Sequence, residues 1–213
     1  MCKEEVQQRV LQYGKPLDLD KFEWDEETST FSTTEKDLIL SFGDVEFCNF
    51  NTGDNCIFYT DDFCNFNTGS DCTFKTTYGC TFKVQDRCVF ITGSGCTFDT
   101  GDYCTFITGD ECTFDTGPGC TFDTGDYCVF KTGSSCAIVN RNSAVNKDAI
   151  SEVIIPKEGD IIQIFPFDIK GHLVNGVHSV TGERSIIADN ILSKVISKRN
   201  NIYKKNFKNL LTT

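Results

Sequence analysis

The chain has 213 residues, with 31 acids against 20 bases and a formal charge of −11. A body this acidic repels nucleic acid, the sequence holds no apolar run of about 18 residues to span a membrane, and its 2 histidines leave little for histidine-based catalysis. The excess lies in 13 Cys, 19 Phe and 17 Gly, and the charge is uneven: residues 44–136 carry 14 acids and 4 bases, residues 137–213 carry 7 acids and 11 bases.

Residues 1–43 read as an N-terminal cap. Met1-Cys2-Lys3-Glu4-Glu5 lacks the basic-then-apolar layout of a signal peptide. Residues 3–13 predict a short helix, with Val6, Val10 and Leu11 on one side and Gly14 as its stop. Phe22-Glu23-Trp24 and Thr28 to Phe31 flank Asp25-Glu26-Glu27 as a hairpin. Leu38 to Phe42 reads as a degenerate first coil, with Leu40 in a Cys place and Phe42 in a Phe place.

Residues 44–139 are a repeat. Cys48, Cys56, Cys64, Cys72, Cys80, Cys88, Cys96, Cys104, Cys112, Cys120, Cys128 and Cys136 fall 8 residues apart without a slip. Two positions after each stands Phe50, Phe58, Phe66, Phe74, Phe82, Phe90, Phe98, Phe106, Phe114, Phe122 or Phe130, and Ile138 takes that place last. Thr follows four positions after each Cys from Thr52 to Thr132, with Val84 the one substitute, and Gly usually comes next. Cys, Phe and Thr at i, i+2 and i+4 share one face of an extended strand. Gly and the two residues after it supply the turn, with φ > 0 available there. One octad cannot bury its own Phe, but stacked octads can, at about 4.8 Å per coil. The fold class is therefore all-β: a parallel β-solenoid.

Two octads per coil are favoured over three. At a step of 16, Ile91 lies on Ile107, Lys83 near Asp99 and Asp115 near Lys131. In such a two-sided coil, a small Cys is expected to face a large Phe across the core.

The Cys have three readings. Stacked neighbours about 4.8 Å apart are too wide for disulfides. An even spacing does not converge four thiolates on one zinc ion. The favoured reading is a ladder of small buried hydrophobes, which implies a reducing compartment, the cytoplasm. No cofactor or metal is expected. Asp54, Asp62, Asp86, Asp102, Asp110 and Asp126 sit at the seventh octad position. Turn capping is preferred there to calcium, whose β-roll needs a nine-residue unit. The outward Thr73, Thr81, Thr97, Thr105, Thr113 and Thr121 form only a broken array, which weighs against ice binding.

Residues 140–213 read as a small β-rich cap or attachment domain. Residues 152–155 and 160–167 read as strands and His172 and His178 as surface residues in a loop; the apolar spacing of 191–198 fits a helix, but Arg199-Asn200-Asn201 as a hairpin turn before Ile202-Tyr203 tips 191–203 to strand.

The Cys-Thr-Phe-x-Thr-Gly-x-x array resembles octapeptide-repeat proteins of bacteriophages, other large DNA viruses and microbial metagenomes. The lead Met-Cys-Lys-Glu-Glu-Val-Gln-Gln-Arg-Val-Leu-Gln, the Phe-Asp-Ile-Lys-Gly of 167–171 and the Ser-Ile-Ile-Ala-Asp of 185–189 are similar to the same family. The resemblance implies a solenoid in a viral context and no activity. The expected function is thus a non-enzymatic structural or protein-interaction platform, attached or self-associated through its ends. The alternative is an acidic DNA mimic that occupies a host enzyme's basic groove. An enzyme is not expected, because no carboxylate–His constellation is present.

Overall fold

The structure is a computed structural model, and it describes residues 1–125, 127–141, 150–157, 159–164 and 172–179. After the helix α1 (Lys3–Gln7), the cap holds β1 (Val10–Gln12), β2 (Lys15–Pro16), β3 (Glu23–Asp25), β4 (Thr30–Ser32) and β5 (Leu38–Phe42). The repeat supplies β6 (Asn49–Asn51), β7 (Ile57–Thr60), β8 (Asn65–Thr68), β9 (Thr73–Lys75), β10 (Thr81–Val84), β11 (Val89–Ile91), β12 (Thr97–Thr100), β13 (Thr105–Ile107), β14 (Thr113–Thr116), β15 (Thr121–Thr124), β16 (Val129–Thr132) and β17 (Ala137–Arg141). Beyond it lie β18 (Ile150–Ile154), β19 (Ile161–Ile164), β20 (His172–Val174) and β21 (Val177–His178).

Successive octads alternate between two facing sheets. The front sheet runs β2-β1-β5-β7-β9-β11-β13-β15-β17-β18, and the back sheet β3-β4-β6-β8-β10-β12-β14-β16-β19-β20-β21. Within the repeat the pairing is parallel and in register by one coil. Phe66, Phe82, Phe98, Phe114 and Phe130 align on the back sheet, and Phe58, Phe74, Phe90, Phe106 and Phe122 on the front. The coil is therefore two octads, as the outward pairs favour.

The core differs from expectation in one respect: Phe meets Phe, not Cys, across it. Within a stack neighbouring rings lie 4.8 Å apart and nearly parallel, as for Phe82 and Phe98. Between stacks they meet edge to face, as for Phe90 and Phe98 at 5.1 Å and 76°. Two opposed rings fill the middle of the coil, so the Cys side chains go to its corners. There each thiol points at turn carbonyls, Cys88 Sγ lying 3.5 Å from the Asp86 oxygen and 3.6 Å from that of Gly69. The repeat Cys and the ladder Phe from Phe50 to Phe130 are all buried.

The turns fall on the three residues expected, and φ > 0 is taken by the last of them. The residue with φ > 0 is not the Gly after Thr but the residue before each Cys: Phe47, Asn55, Phe63, Asp71, Gly79, Arg87, Gly95, Tyr103, Glu111, Gly119, Tyr127 and Ser135. The Thr-Gly glycines serve close approach between coils instead. A Cβ on Gly93 would stand 2.5 Å from the Thr77 carbonyl oxygen of the coil before.

The caps reverse chain direction. The helix ends at Gln7, because Val10–Gln12 is claimed by antiparallel pairing with Leu38–Leu40, and Tyr13-Gly14 is the φ > 0 turn of a hairpin to Lys15–Pro16 rather than a helix stop. The Trp24–Phe31 hairpin forms as expected. Leu40, not Phe42, takes the Phe place, pairing with Phe58, while Phe42 aligns with Thr60. The longer turn through Gly43 to Phe47 shifts that register by two residues. Phe31 aligns with Phe50 and so starts the back stack. At the far end β18 closes the front sheet and β19 to β21 the back sheet, all antiparallel. The expected strands at 152–155 and 160–167 thus form in part, and 165–171 and 180–213 lie outside the described residues. No helix among the described residues is long and apolar enough to cross a membrane.

Candidate functional surfaces

The twelve repeat thiols divide into two columns, one per corner of the coil. Each is free and buried, and only Cys2 is exposed. Each thiol donates to turn carbonyls, and along a column a backbone N–H reaches the sulfur one coil on, as from Cys104 N to Cys120 Sγ at 3.3 Å. Cys112 is pushed up to about 12 by the thiol of Cys128 and by burial. Cys120 rises to about 11, chiefly through Cys104. The same causes raise Cys64, Cys88 and Cys96. Burial penalises a thiolate in these corners, which favours neutral thiols along the ladder. Among the described residues no three His, Cys, Asp or Glu side chains converge as a metal set.

Thr at the fifth octad position shares the inner face. The hydroxyls of Thr60, Thr76, Thr100, Thr124 and Thr132 are buried without a hydrogen-bond partner. Threonine thus acts there as a β-branched filler, which is why Val84 replaces it without loss of register.

The two outer faces differ. On the back face Asn65 donates to Asn49 at 2.9 Å, Asn67 to Asn51 at 3.4 Å, and Lys131 pairs with Asp115 at 3.4 Å. On the front face Ile57, Thr73, Val89, Thr105 and Thr121 form one row, and Tyr59, Lys75, Ile91, Ile107 and Asp123 the next. Ile91, Ile107 and Tyr59 are exposed there.

The two edges differ more. The seventh octad position caps turns on both, because its side chain accepts the backbone N–H one coil on. Asp54 accepts from Ser70 at 3.1 Å, Asp62 from Tyr78 at 2.8 Å, Asp86 from Asp102 at 3.0 Å and Ser94 from Asp110 at 3.0 Å. Asp126 lies outside the described residues. The edge leading from back to front strands sets two bases, Lys36 and Arg87, among its acids Glu35, Asp37, Asp54, Asp71, Asp86 and Asp102. Lys36 pairs with Asp54 at 2.9 Å, and Arg87 grips Asp71 through two nitrogens at 2.8 and 2.7 Å. Those cations hold Asp54 and Asp71 below the usual carboxylate range.

The edge leading from front to back strands has no base in its turns 43–47, 61–63, 77–79, 93–95, 109–111 and 125–127. It carries Asp44, Glu46, Asp61, Asp62, Asp110 and Glu111. Arg9 reaches over from the cap to pair with Asp44. Asp62 is held low by the Thr77 hydroxyl and the Tyr78 N–H. Aromatic rings stand out from this edge: Phe47 is 61% exposed, Phe63 39%, Tyr78 43% and Tyr127 47%. Phe47 and Phe63 stack at 5.1 Å and 7°, and Tyr78 meets Phe63 edge-on at 5.6 Å. Gly79 makes this possible, since a Cβ there would fall 2.7 Å from the Phe63 ring.

Sequence reasoning passed over these rings because they sit in turns. The usable signal was the position before Cys, which is never β-branched, read on alternate octads. His172 is a further correction: it is buried in β20, where its N–H meets Ser179 Oγ at 3.0 Å, because the strand extends the back sheet. His178 is also in a strand, not a loop. No family model, curated protein or solved structure matches the chain.

Proposed function

We propose that the chain is a non-enzymatic structural or protein-interaction solenoid of phage or viral type, a rigid platform whose outer side chains carry the recognition. One observation carries this reading. The repeated Cys and Phe are buried and pack on one another, while the residues that vary from octad to octad lie on the outer faces and in the turns. Recognition resides where sequence varies on a fixed scaffold.

The way both sheets finish refines how such a platform attaches. β2 contains Pro16, β3 carries Glu23 and Asp25, and β21 has 2 residues, whereas β18 leaves a five-residue edge on the front sheet. Short, charged or proline-bearing edges discourage strand addition. Attachment at the N-terminal end therefore runs through cap side chains rather than through continued coils. The viral setting rests on the octapeptide resemblance, and the neutral thiol ladder supports a reducing one. The DNA-mimic alternative draws less support, because Lys36 and Arg87 neutralise part of one acidic edge.

The test is molar mass by light scattering in reducing buffer at low and high salt, followed by affinity capture with co-expressed virion or host proteins. A salt-resistant assembly or a stoichiometric protein partner supports a platform. A monomer that captures none, together with turnover of a substrate, overturns it.

A further inference from the structure

Resting on the platform reading, we infer that the front-to-back edge is a docking strip for a cationic, extended protein segment, with arginine preferred to lysine. The rings of Phe47, Phe63 and Tyr78 form one exposed, mutually packed cluster. Tyr127 continues the edge toward the C-terminal coils. A soluble surface does not gather rings this way without use. Their neighbours decide the occupant. Every charged side chain in those turns is a carboxylate, and of these Arg9 of the cap pairs with Asp44 alone, leaving Glu46, Asp61, Asp62 and Glu111 without a base beside them in those turns, whereas the opposite edge interleaves Lys36 and Arg87 with its acids. Aromatic faces ringed by carboxylates attract a guanidinium by stacking and by charge together. An apolar or acidic partner has no reason to prefer this edge to the front face, where Ile91 and Ile107 lie exposed.

The geometry sets the size of the segment. From Phe47 to Tyr127 the edge climbs five coils, about 24 Å at ~4.8 Å each. An extended peptide covers that with about seven residues.

The backbone supplies a clean way to remove the rings. Phe47 and Phe63 have φ of 59° and 56°, a region that favours asparagine over bulky residues. Phe47→Asn with Phe63→Asn should therefore keep or raise the melting temperature while weakening docking. A damaged fold would lower both.

The experiment is fluorescence anisotropy with the full chain and labelled seven-residue peptides rich in Arg, in Lys or in Glu. The expected order is Arg tighter than Lys, with no binding of Glu. The paired Asn substitutions should weaken the Arg peptide at least ~10-fold, in line with losing cation–π contacts. Tyr103→Ser, on the opposite edge, should leave it unchanged. Unaltered Arg-peptide binding in the Asn variant overturns the inference, as does equal loss in Tyr103→Ser or no binding by the parent chain. A parent chain that still assembles or captures a partner despite such a result keeps the platform reading and loses only the strip.

Discussion

Replacing Phe98 with leucine probes the core at its most enclosed point. Phe98 is stacked between Phe82 at 4.8 Å and Phe114 at 4.9 Å, and meets Phe90 and Phe106 edge-on at 5.1 Å. Each such ring pair contributes about 0.5–1.5 kcal/mol beyond area burial. Losing all of them costs about 2–6 kcal/mol, and the change of shape adds ~1 kcal/mol. Phe130 provides the comparison. It stacks on Phe114 at 4.8 Å and meets Phe122 at 5.2 Å, but its other neighbour along the sheet is Ile162. Phe130→Leu should therefore cost about 1–3 kcal/mol less than Phe98→Leu. Urea unfolding of both variants, with slopes compared to verify the same exposed surface, measures the difference. Equal costs within ~0.5 kcal/mol would show that the rings act only as apolar volume, which refutes the ladder argument.

Three further outcomes follow from the repeat. Gly93→Ala forces a Cβ to within 2.5 Å of the Thr77 oxygen, which is backbone and cannot swing away, while Gly43→Ala meets nothing within 4 Å; thermal unfolding should show a loss of about 1–3 kcal/mol for the first and little change for the second. Thr100→Val removes a buried hydroxyl that has no partner, so denaturation should find it neutral or stabilising, and a loss above ~1 kcal/mol would reveal a hidden hydrogen bond. A thiol reagent should label only Cys2 in the native chain and all 13 cysteines in denaturant, and fast native labelling of the ladder would contradict its sealed corners.

The sequence makes the coil legible because an eight-residue period with alternating burial admits few solutions, and outward pairs such as Asp115 with Lys131 choose among them. It conceals which inner residues meet. Cys, Phe and Thr share a face whatever the partner across the core, and only ring size in three dimensions sends Phe to the middle and Cys to the corner. The cap at Val10–Gln12 looks helical because its apolar spacing is short and ambiguous, and long-range pairing with Leu38–Leu40 overrides it. The Leu38–Phe42 register is hidden for a related reason: one longer turn shifts every residue by two, and turn length is invisible until the partner strand is known. The aromatic edge escapes notice because its rings belong to turns, and turns on alternate octads share an edge only once the coil is known to hold two.

The coil itself can be tested by deletion. Removing residues 89–104 takes out one whole coil and leaves every remaining strand on its own sheet. Removing residues 89–96 takes out half a coil and moves all later strands, with the C-terminal cap, to the opposite sheet. Thermal unfolding followed by circular dichroism should show the longer deletion keeping a cooperative transition and the shorter one losing it. A shorter deletion that melts as cooperatively as the longer would contradict the two-octad coil on which the surfaces, the edges and their proposed use all depend.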